Sequence, residues 1–293
     1  MSGKPAAAPV AGLTAGVAAG IARVDGAAAS ALRIRSMLLR YLFLHRRSLI
    51  RAFDIVFWPV MDLLVWGFVT IYVQKAIQAP GASIMLFFIG AMISWDIHYR
   101  GQQAVTISFM EEIWNRNLTN ILISPIRLWE WIVATFCYAA IRIVIVIAIL
   151  ATVAHVLYAF DLARAGWAFL PLAALLLLFG WGIGLFTTGL LLRFGYAAEA
   201  LIWGIPFLVQ PFSCVFYPVS VLPRWAQMIA RCLPSTYAFE GLRMALAGQP
   251  VPASIWLPLI GLDALAFGAG IAFFVGMFRA ARKAGRLGRL AHD

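Results

Sequence analysis

The sequence has few charged residues, few cysteines and none of the short motifs that mark common enzymes. Asp, Glu, Lys and Arg make up 12% of its 293 residues, whereas hydrophobic residues make up 63%. Soluble domains are about a quarter charged and about half apolar. A water-soluble fold cannot bury so much apolar surface, so the composition predicts an integral membrane protein.

The absent motifs exclude several classes of chemistry. The sequence has no phosphate-binding G-x-x-x-x-G-K-[ST] loop, no HExxH and no GxSxG, so we expect no catalytic residues, no metal site and no cofactor in this chain. Its three cysteines, Cys137, Cys214 and Cys232, form no CxxC pattern. A bond between Cys214 and Cys232 stays open as an alternative, although nothing else favours a disulfide framework.

Long apolar runs predict an all-α fold of six transmembrane helices. A helix needs about 20 apolar residues to cross the hydrocarbon layer. The fifth run contains Pro206 and Pro211, which predict a kinked or broken helix. The predicted spans are residues 52–74, 83–106, 131–157, 167–192, 198–218 and 254–278, which together form a permease domain over 52–278.

The basic residues predict the orientation. With the N-terminus inside, sixteen of the 23 Lys and Arg residues lie on the cytoplasmic side and five lie outside, while Arg100 and Arg142 fall within spans. Positively charged loops favour the cytoplasm, so both termini are predicted to be cytoplasmic. The net charge of +11 is concentrated next to apolar spans, which indicates anionic membrane lipid rather than nucleic acid as the partner.

The segments outside the spans have distinct patterns. Residues 1–29, rich in Ala and Gly, predict a disordered cytoplasmic tail, and residues 279–293 predict a basic cytoplasmic tail. Residues 30–51 predict an amphipathic helix along the inner leaflet, with Arg33, Ser36, Arg40, Arg47 and Arg51 in one stripe. A plain basic anchor for the first span is an equally good interpretation.

A second irregular segment, 220–251, predicts a short external helical hairpin before the sixth span. Two helices would meet near Pro234, with Ser235 or Thr236 capping the second. Its apolar content indicates that it packs against the bundle. The candidate residues of this hairpin are Trp225, Pro234, Tyr237, Glu240 and Arg243.

Charged residues inside the predicted spans are candidates for function because ionised groups are costly in lipid. They are Asp62, Asp96, Arg100 and Arg142. Asp96 and Arg100 have the i,i+4 spacing of a neutralising pair, and Arg142 is expected to pair with Asp62 or Asp96. Structural pairing is the first interpretation, and a place on a substrate path or in proton coupling is the alternative.

One polar segment, "SFMEEIWNRNLTNILISP" at 108–125, interrupts the apolar spans. The pattern predicts an amphipathic helix over 108–123, with Glu112 and Arg116 paired at i,i+4. A polar arc of Glu111, Glu112, Asn115 and Arg116 would face a soluble partner, while Phe109, Ile113 and Trp114 belong to the apolar arc. An ordinary interfacial loop helix is the alternative.

Two motifs carry a resemblance to a known family. "FMEEIWNRNLTNILISPIRLWEW" is similar to the cytoplasmic segment of ABC type-2 permeases, the membrane subunits of ATP-driven exporters, and "LPRWAQMIARCLPSTYAFEGLR" resembles their signature before the last span. The resemblance implies a coupling helix seated in a separate nucleotide-binding subunit that holds ATP and Mg²⁺. The residues assigned to it are Met110, Glu111, Glu112, Ile113, Trp114, Asn115, Arg116 and Asn117.

The resemblance also implies two permease chains with two ATPases in the cytoplasmic (inner) membrane, exporting an amphiphilic or hydrophobic substrate such as a drug, a lipid or a lipid-linked glycan. This chain would not be an enzyme by itself. The alternative is a secondary transporter driven by an ion gradient, with Asp62, Asp96 and Arg142 as the relay. Such transporters usually contain internal repeats, and the halves of this sequence show none.

Overall fold

The computed structural model describes residues 26–46, 48–77 and 81–285, and every regular element within those ranges is helical. Most of the predicted tail 1–29 and residues 286–293 of the predicted basic tail lie outside the described residues. The helices are α1 (Ala27–Arg46), α2 (Leu49–Ile77), α3 (Gly81–Trp114), α4 (Leu118–Ile123), α5 (Leu128–Tyr158), α6 (Phe169–Phe194), α7 (Glu199–Val209), α8 (Arg224–Arg231), α9 (Pro234–Leu246) and α10 (Ala253–Lys283).

Four segments of the described chain are long and apolar enough to cross a membrane: Ile55–Ala76, Leu128–Tyr158, Leu162–Phe194 and Ala253–Lys283. They overlap the first, third, fourth and sixth predicted spans. The chain is therefore an all-helical multi-pass membrane protein.

The other two predicted spans have a different character. Residues 83–106 lie within α3, a 34-residue helix that carries a buried Asp and a half-buried Arg. Residues 198–218 contain only the 11-residue α7, which ends at Val209, two residues before Pro211. Pro211 has no backbone N–H, so it cannot continue the helical hydrogen-bond ladder. At 1.5 Å per residue α7 is roughly 16 Å long, about half the hydrocarbon thickness.

Helix α6 lies at the centre of the bundle and contacts its neighbours through glycines. A Cβ on Gly180 would collide with the carbonyl oxygen of His98 in α3, and a Cβ on Gly182 would lie 3.2 Å from the Cα of Phe267 in α10. Small residues let helix backbones approach closely in membranes. Helices α3, α6 and α10 therefore pack backbone against backbone.

The segment 220–251 has the predicted two helices, α8 and α9, but its cap differs from the prediction. Leu233 occupies the N-cap of α9 and Pro234 the first helical position, where the missing N–H of proline costs nothing. The hydroxyl of Ser235 instead lies 2.7 Å from that of Ser213. Helix α9 packs against α3, α6 and α10, so the hairpin is part of the bundle.

Candidate functional site

Helix α1 lies across the ends of α3 and α5 and is bound to both by ion pairs. The side chains that face the bundle recur at helical spacing, and Met37 and Tyr41 on this face are buried. We call the contacts of Arg33, Arg40, Glu112 and Glu130 the α1 junction. Each arginine of the junction meets one carboxylate.

Glu112, near the end of α3, is the most buried charge of its segment. Arg40 holds its carboxylate with two hydrogen bonds, Nη1 to Oε1 at 2.7 Å and Nη2 to Oε2 at 2.8 Å. The Asn117 amide adds a third at 2.7 Å. The Glu112 side chain is 2% exposed and that of Arg40 is 34% exposed. Paired, bidentate geometry is what a buried carboxylate requires.

The charge and burial around Glu112 shift the pKa values of two neighbouring groups, Arg40 and Tyr41. Burial alone lowers the pKa of the Arg40 guanidinium, but its hydrogen bonds to Glu112 and the charge of that residue raise the pKa above its ordinary value. Burial, together with the charge of Glu112, raises the pKa of Tyr41. Arg40 therefore stays charged and the Tyr41 hydroxyl stays protonated at any physiological pH.

The second half of the junction fixes the start of α5. Arg33 binds Glu130 through Nε at 2.8 Å and Nη2 at 2.7 Å, and Glu130 is fully buried. Glu130 also accepts the backbone N–H of Arg127 at 2.8 Å, which caps the first turn of α5. The Trp131 indole donates to the Tyr41 hydroxyl at 2.8 Å. Helices α1 and α5 are thus joined by both charged and neutral hydrogen bonds.

The junction corrects two predictions. Glu112 does not pair with Arg116, since Arg40 and Asn117 already occupy both of its oxygens. Arg33 and Arg40 do not form a free basic stripe, because each is bound to a carboxylate of the bundle. The i,i+4 pattern misled because it considers one helix alone, whereas the strongest partners are 72 and 97 residues apart in sequence. Arg47 and the side chain of Arg51 lie outside the described residues.

The predicted single helix over 108–123 is wrong: α3 ends at Trp114 and α4 begins at Leu118. Arg116 has φ +52°. Its N–H bonds the Ile113 carbonyl and the Asn117 N–H bonds the Glu112 carbonyl, both at 2.9 Å. These two bonds define a Schellman helix end, in which the left-handed residue is usually glycine. An arginine at this position costs roughly 1–2 kcal/mol.

The turn between α3 and α4 divides the predicted coupling residues. Met110, Glu112 and Ile113 are buried and Phe109 packs on Trp131. Trp114, Asn115 and Arg116, which we call the tip, are exposed. Trp114, which the sequence pattern assigns to the apolar arc, is 47% exposed. Ile123 of α4 is also exposed. Glu111 and Asn117 are half-buried.

The charged residues within the helices are only partly paired as predicted. Arg100 binds both oxygens of Asp96, at 2.8 and 2.7 Å, as their spacing predicts. Asp62 is exposed on α2 and has no ion pair with the described part of the chain. Arg142 pairs with neither aspartate there, and its guanidinium lies 5.7 Å from the ring centre of Tyr138. The expected Arg142 pair is therefore absent.

A buried polar seam between α3 and α6 has no counterpart among the sequence predictions. The Gln102 amide donates to the hydroxyls of Thr106 and Thr187, at 3.3 and 3.2 Å. The two hydroxyls lie 2.8 Å apart. His98, fully buried, contacts the Leu176 carbonyl through Nδ1 at 3.3 Å. The i,i+4 spacing of His98, Gln102 and Thr106 was the available signal, because it places three polar groups on one helix face.

Among the candidate hairpin residues, Arg243 binds the loop before the hairpin. Arg243 donates to the carbonyls of Cys214 and Tyr217, at 2.8 and 3.2 Å, and lies 5.4 Å from the Phe87 ring. Tyr237 donates to the Arg231 carbonyl. Pro234 is buried, Glu240 half-buried and Trp225 exposed. Cys214 and Cys232 are free thiols, the first buried and the second exposed, so they are not bonded to each other.

Comparison with known proteins identifies the family. Residues 37–247 match the family described as ABC-2 type transporter. No curated protein matches the chain significantly. The matched range runs from the Met37 turn of α1 through the Schellman turn to the end of α9, and it covers well over half of the chain. The chain therefore belongs to the ABC-2 type transporter family and is a membrane transport subunit.

Proposed function

We propose that this chain is the permease subunit of an exporter powered by ATP hydrolysis on a separate nucleotide-binding subunit. The observation that carries the proposal is the exposed tip directly beside the buried Glu112 pair. Trp114, Asn115 and Arg116 supply an aromatic, an amide and a guanidinium group, and aromatic residues and Arg are enriched in protein interfaces. The family normally works with an ATPase subunit.

The tip is suited to transmit force because its support is rigid. Glu112 lies two residues before Trp114 and is bound to α1 and to the α4 start through Arg40 and Asn117. A displacement of the tip therefore moves α1, α3 and α4 together. The proposed sequence is that ATP and Mg²⁺ close two partner subunits, which push the tips and change the access of a path near α2, α3 and α7.

The remaining architecture is part of the same proposal. Two copies of the chain with two ATPases form the unit in the inner membrane, with six spans each, both termini cytoplasmic and the α8–α9 hairpin outside. Helix α1 lies along the inner leaflet, because its outer face exposes Leu32, Leu39 and Phe43 beside the basic Arg35 and Arg46. The substrate is amphiphilic or hydrophobic: a drug, a lipid or a lipid-linked glycan.

The ion-gradient alternative receives no support from the charged groups. A relay through Asp62, Asp96 and Arg142 needs the three residues to exchange protons or partners. Asp96 is instead held by Arg100, and Arg142 lies over Tyr138. We therefore assign the energy source to ATP.

The test replaces the tip without touching the junction. Trp114→Ala with Arg116→Ala is expected to abolish co-purification with the cognate ATPase and to lower substrate-stimulated ATP hydrolysis at least tenfold. The unfolding temperature should change little because both side chains are exposed. The matched control is Arg164→Ala with Trp167→Ala, a second exposed Arg and Trp, in the segment Leu162–Ala168.

Unchanged complex formation and hydrolysis in the tip variant would refute the coupling assignment. Transport in vesicles provides an independent check. Uptake into inverted vesicles should require ATP and persist when an uncoupler removes the proton gradient. Uptake that needs the gradient and not ATP would establish the secondary-transporter alternative instead.

A further inference from the structure

Asp62 is an exposed carboxylate within a membrane-spanning segment. It lies seven residues after Ile55 in the span Ile55–Ala76, which places it about 10 Å along the helix from that end. An ionised side chain is not stable against lipid, and such residues face a bundle interior, a cavity or another chain. The Asp62 face of α2 therefore borders a polar space or a partner.

Tryptophans flank Asp62 on the same face of α2. Trp58 and Trp66 lie four residues before and after it, one helical turn away in each direction. Trp58 is 56% exposed. Trp66 stacks on Phe216 with ring centres 4.5 Å apart and an interplanar angle of 16°. The face thus has an acid between two indole rings.

Helix α3 packs beside α2 and adds a polar face. Asp96, Arg100 and Gln103 share one face because they are spaced by four, three and seven residues. Asp96 interacts electrostatically with both Arg100 and Asp62, and Arg100 also interacts electrostatically with Asp62. Both polar atoms of the Gln103 amide are buried without a hydrogen-bond partner among the described residues, and the side chain is only 6% exposed.

The charges of these two helix faces do not cancel. The Nε of Arg100 contacts both oxygens of Asp96, so that pair is neutral. Asp62 adds one negative charge that no described cation binds directly. An anionic head group would be repelled by Asp62, since the charge of Arg100 is already neutralised by Asp96, and a neutral lipid would leave the Asp62 carboxylate unpaired. A single positive charge beside Asp62 balances it.

We propose that the substrate is an amphiphilic monocation. Its charged head lies beside Asp62, its apolar or aryl body lies against Trp58 and Trp66, and the unpartnered Gln103 amide supplies a polar contact on α3. Indole faces attract cations, and quaternary ammonium groups are typically recognised by aromatic rings. The inference rests on the proposed export function, whose substrate class it narrows, and names Asp62 as the residue that selects charge.

The experiment measures binding to the permease alone, so that it does not depend on the ATPase. Tetraphenylphosphonium and tetraphenylborate have nearly the same shape and opposite charges. Their binding to the purified chain in nanodiscs of uncharged lipid is followed by tryptophan fluorescence, with empty nanodiscs as the blank. We expect the cation to bind at least tenfold more tightly than the anion.

Variants assign that selectivity to one residue. Asp62→Asn should weaken cation binding at least tenfold, which corresponds to about 1.4 kcal/mol, and leave anion binding unchanged or stronger. Asp62→Glu should retain most of the cation affinity. The control Asp161→Asn removes an exposed acid outside the helices and should change neither the dissociation constant of the cation nor that of the anion. Trp66→Ala should weaken the binding of both ions, since both lose an aromatic contact.

Two outcomes would overturn the inference: equal binding of the two ions by the unaltered chain, or cation binding that Asp62→Asn leaves intact. The comparison of the two ions on the unaltered chain holds even when a variant does not fold. Failure of the export proposal has a different signature, because selective cation binding would then persist while addition of the ATPase gives neither a complex nor stimulated hydrolysis.

Discussion

The Arg40–Glu112 pair makes an asymmetric prediction about stability. Arg40→Met leaves a carboxylate that is 2% exposed with one remaining donor, Asn117. Glu112→Gln leaves a guanidinium that is 34% exposed and can recruit water. Removing one partner of a buried pair costs about 3–5 kcal/mol. Because Arg40 is partly solvated, we reduce this to about 2 kcal/mol for Arg40→Met and about 1 kcal/mol for Glu112→Gln.

Thermal unfolding in detergent, followed by tryptophan fluorescence, measures the difference. On the scale of soluble domains of 150–250 residues, about 2 kcal/mol lowers the unfolding temperature by roughly 4–8 °C. The double variant Arg40→Met with Glu112→Gln removes both charges and should recover at least half of the loss, because no buried charge is left unpaired. Arg35→Met, an exposed site on the same helix, is the control and should be neutral.

Two results would refute this reasoning. If Glu112→Gln destabilises the chain as much as Arg40→Met does, the burial of the charge left unpaired does not decide the loss of stability. If the effects of the two single substitutions simply add in the double variant, the residues do not interact, and α1 is held by its apolar face alone.

Three further predictions concern the packing and the α8–α9 hairpin. Gly180→Ala should destabilise the bundle strongly because its Cβ meets the His98 carbonyl, whereas Gly204→Ala, with nothing within 4 Å, should be tolerated or slightly stabilising; unfolding temperatures compare the two. A membrane-impermeant maleimide added to intact cells should label exposed Cys232 and spare buried Cys214, and labelling only after lysis would contradict the external placement. Arg243→Met removes donors to two loop carbonyls, so limited proteolysis should cut within 210–222 faster than in the unaltered chain.

The sequence predicted best where one physical constraint acts over a long stretch. Apolar length located four membrane-capable helices within a few residues of their observed bounds. The pair Asp96–Arg100 was also predictable, because both residues belong to one helix and the spacing alone brings them together. Proline marked the end of α7 and the start of α9.

The α1 junction was not predictable because it depends on tertiary contacts. Whether Glu112 faces Arg116 or Arg40 is decided by where α1 lies, and no local pattern specifies that position. The Schellman turn was missed for a different reason. Its left-handed residue is Arg116 rather than Gly or Asn, so the usual marker of a helix end is absent and the amphipathic pattern continues through the break.

The glycine contacts of α6 have a mechanical consequence. Where side chains separate two helices, rotamer changes let one helix slide along the other. At Gly180, Gly182 and Gly270 the neighbouring atoms are backbone, which has no rotamers to change, so sliding would require the helices to separate first. Helices α3, α6 and α10 therefore have to rotate as one rigid body. In α3, which is roughly 50 Å long, a small rotation of that piece becomes a displacement of several ångströms at either end.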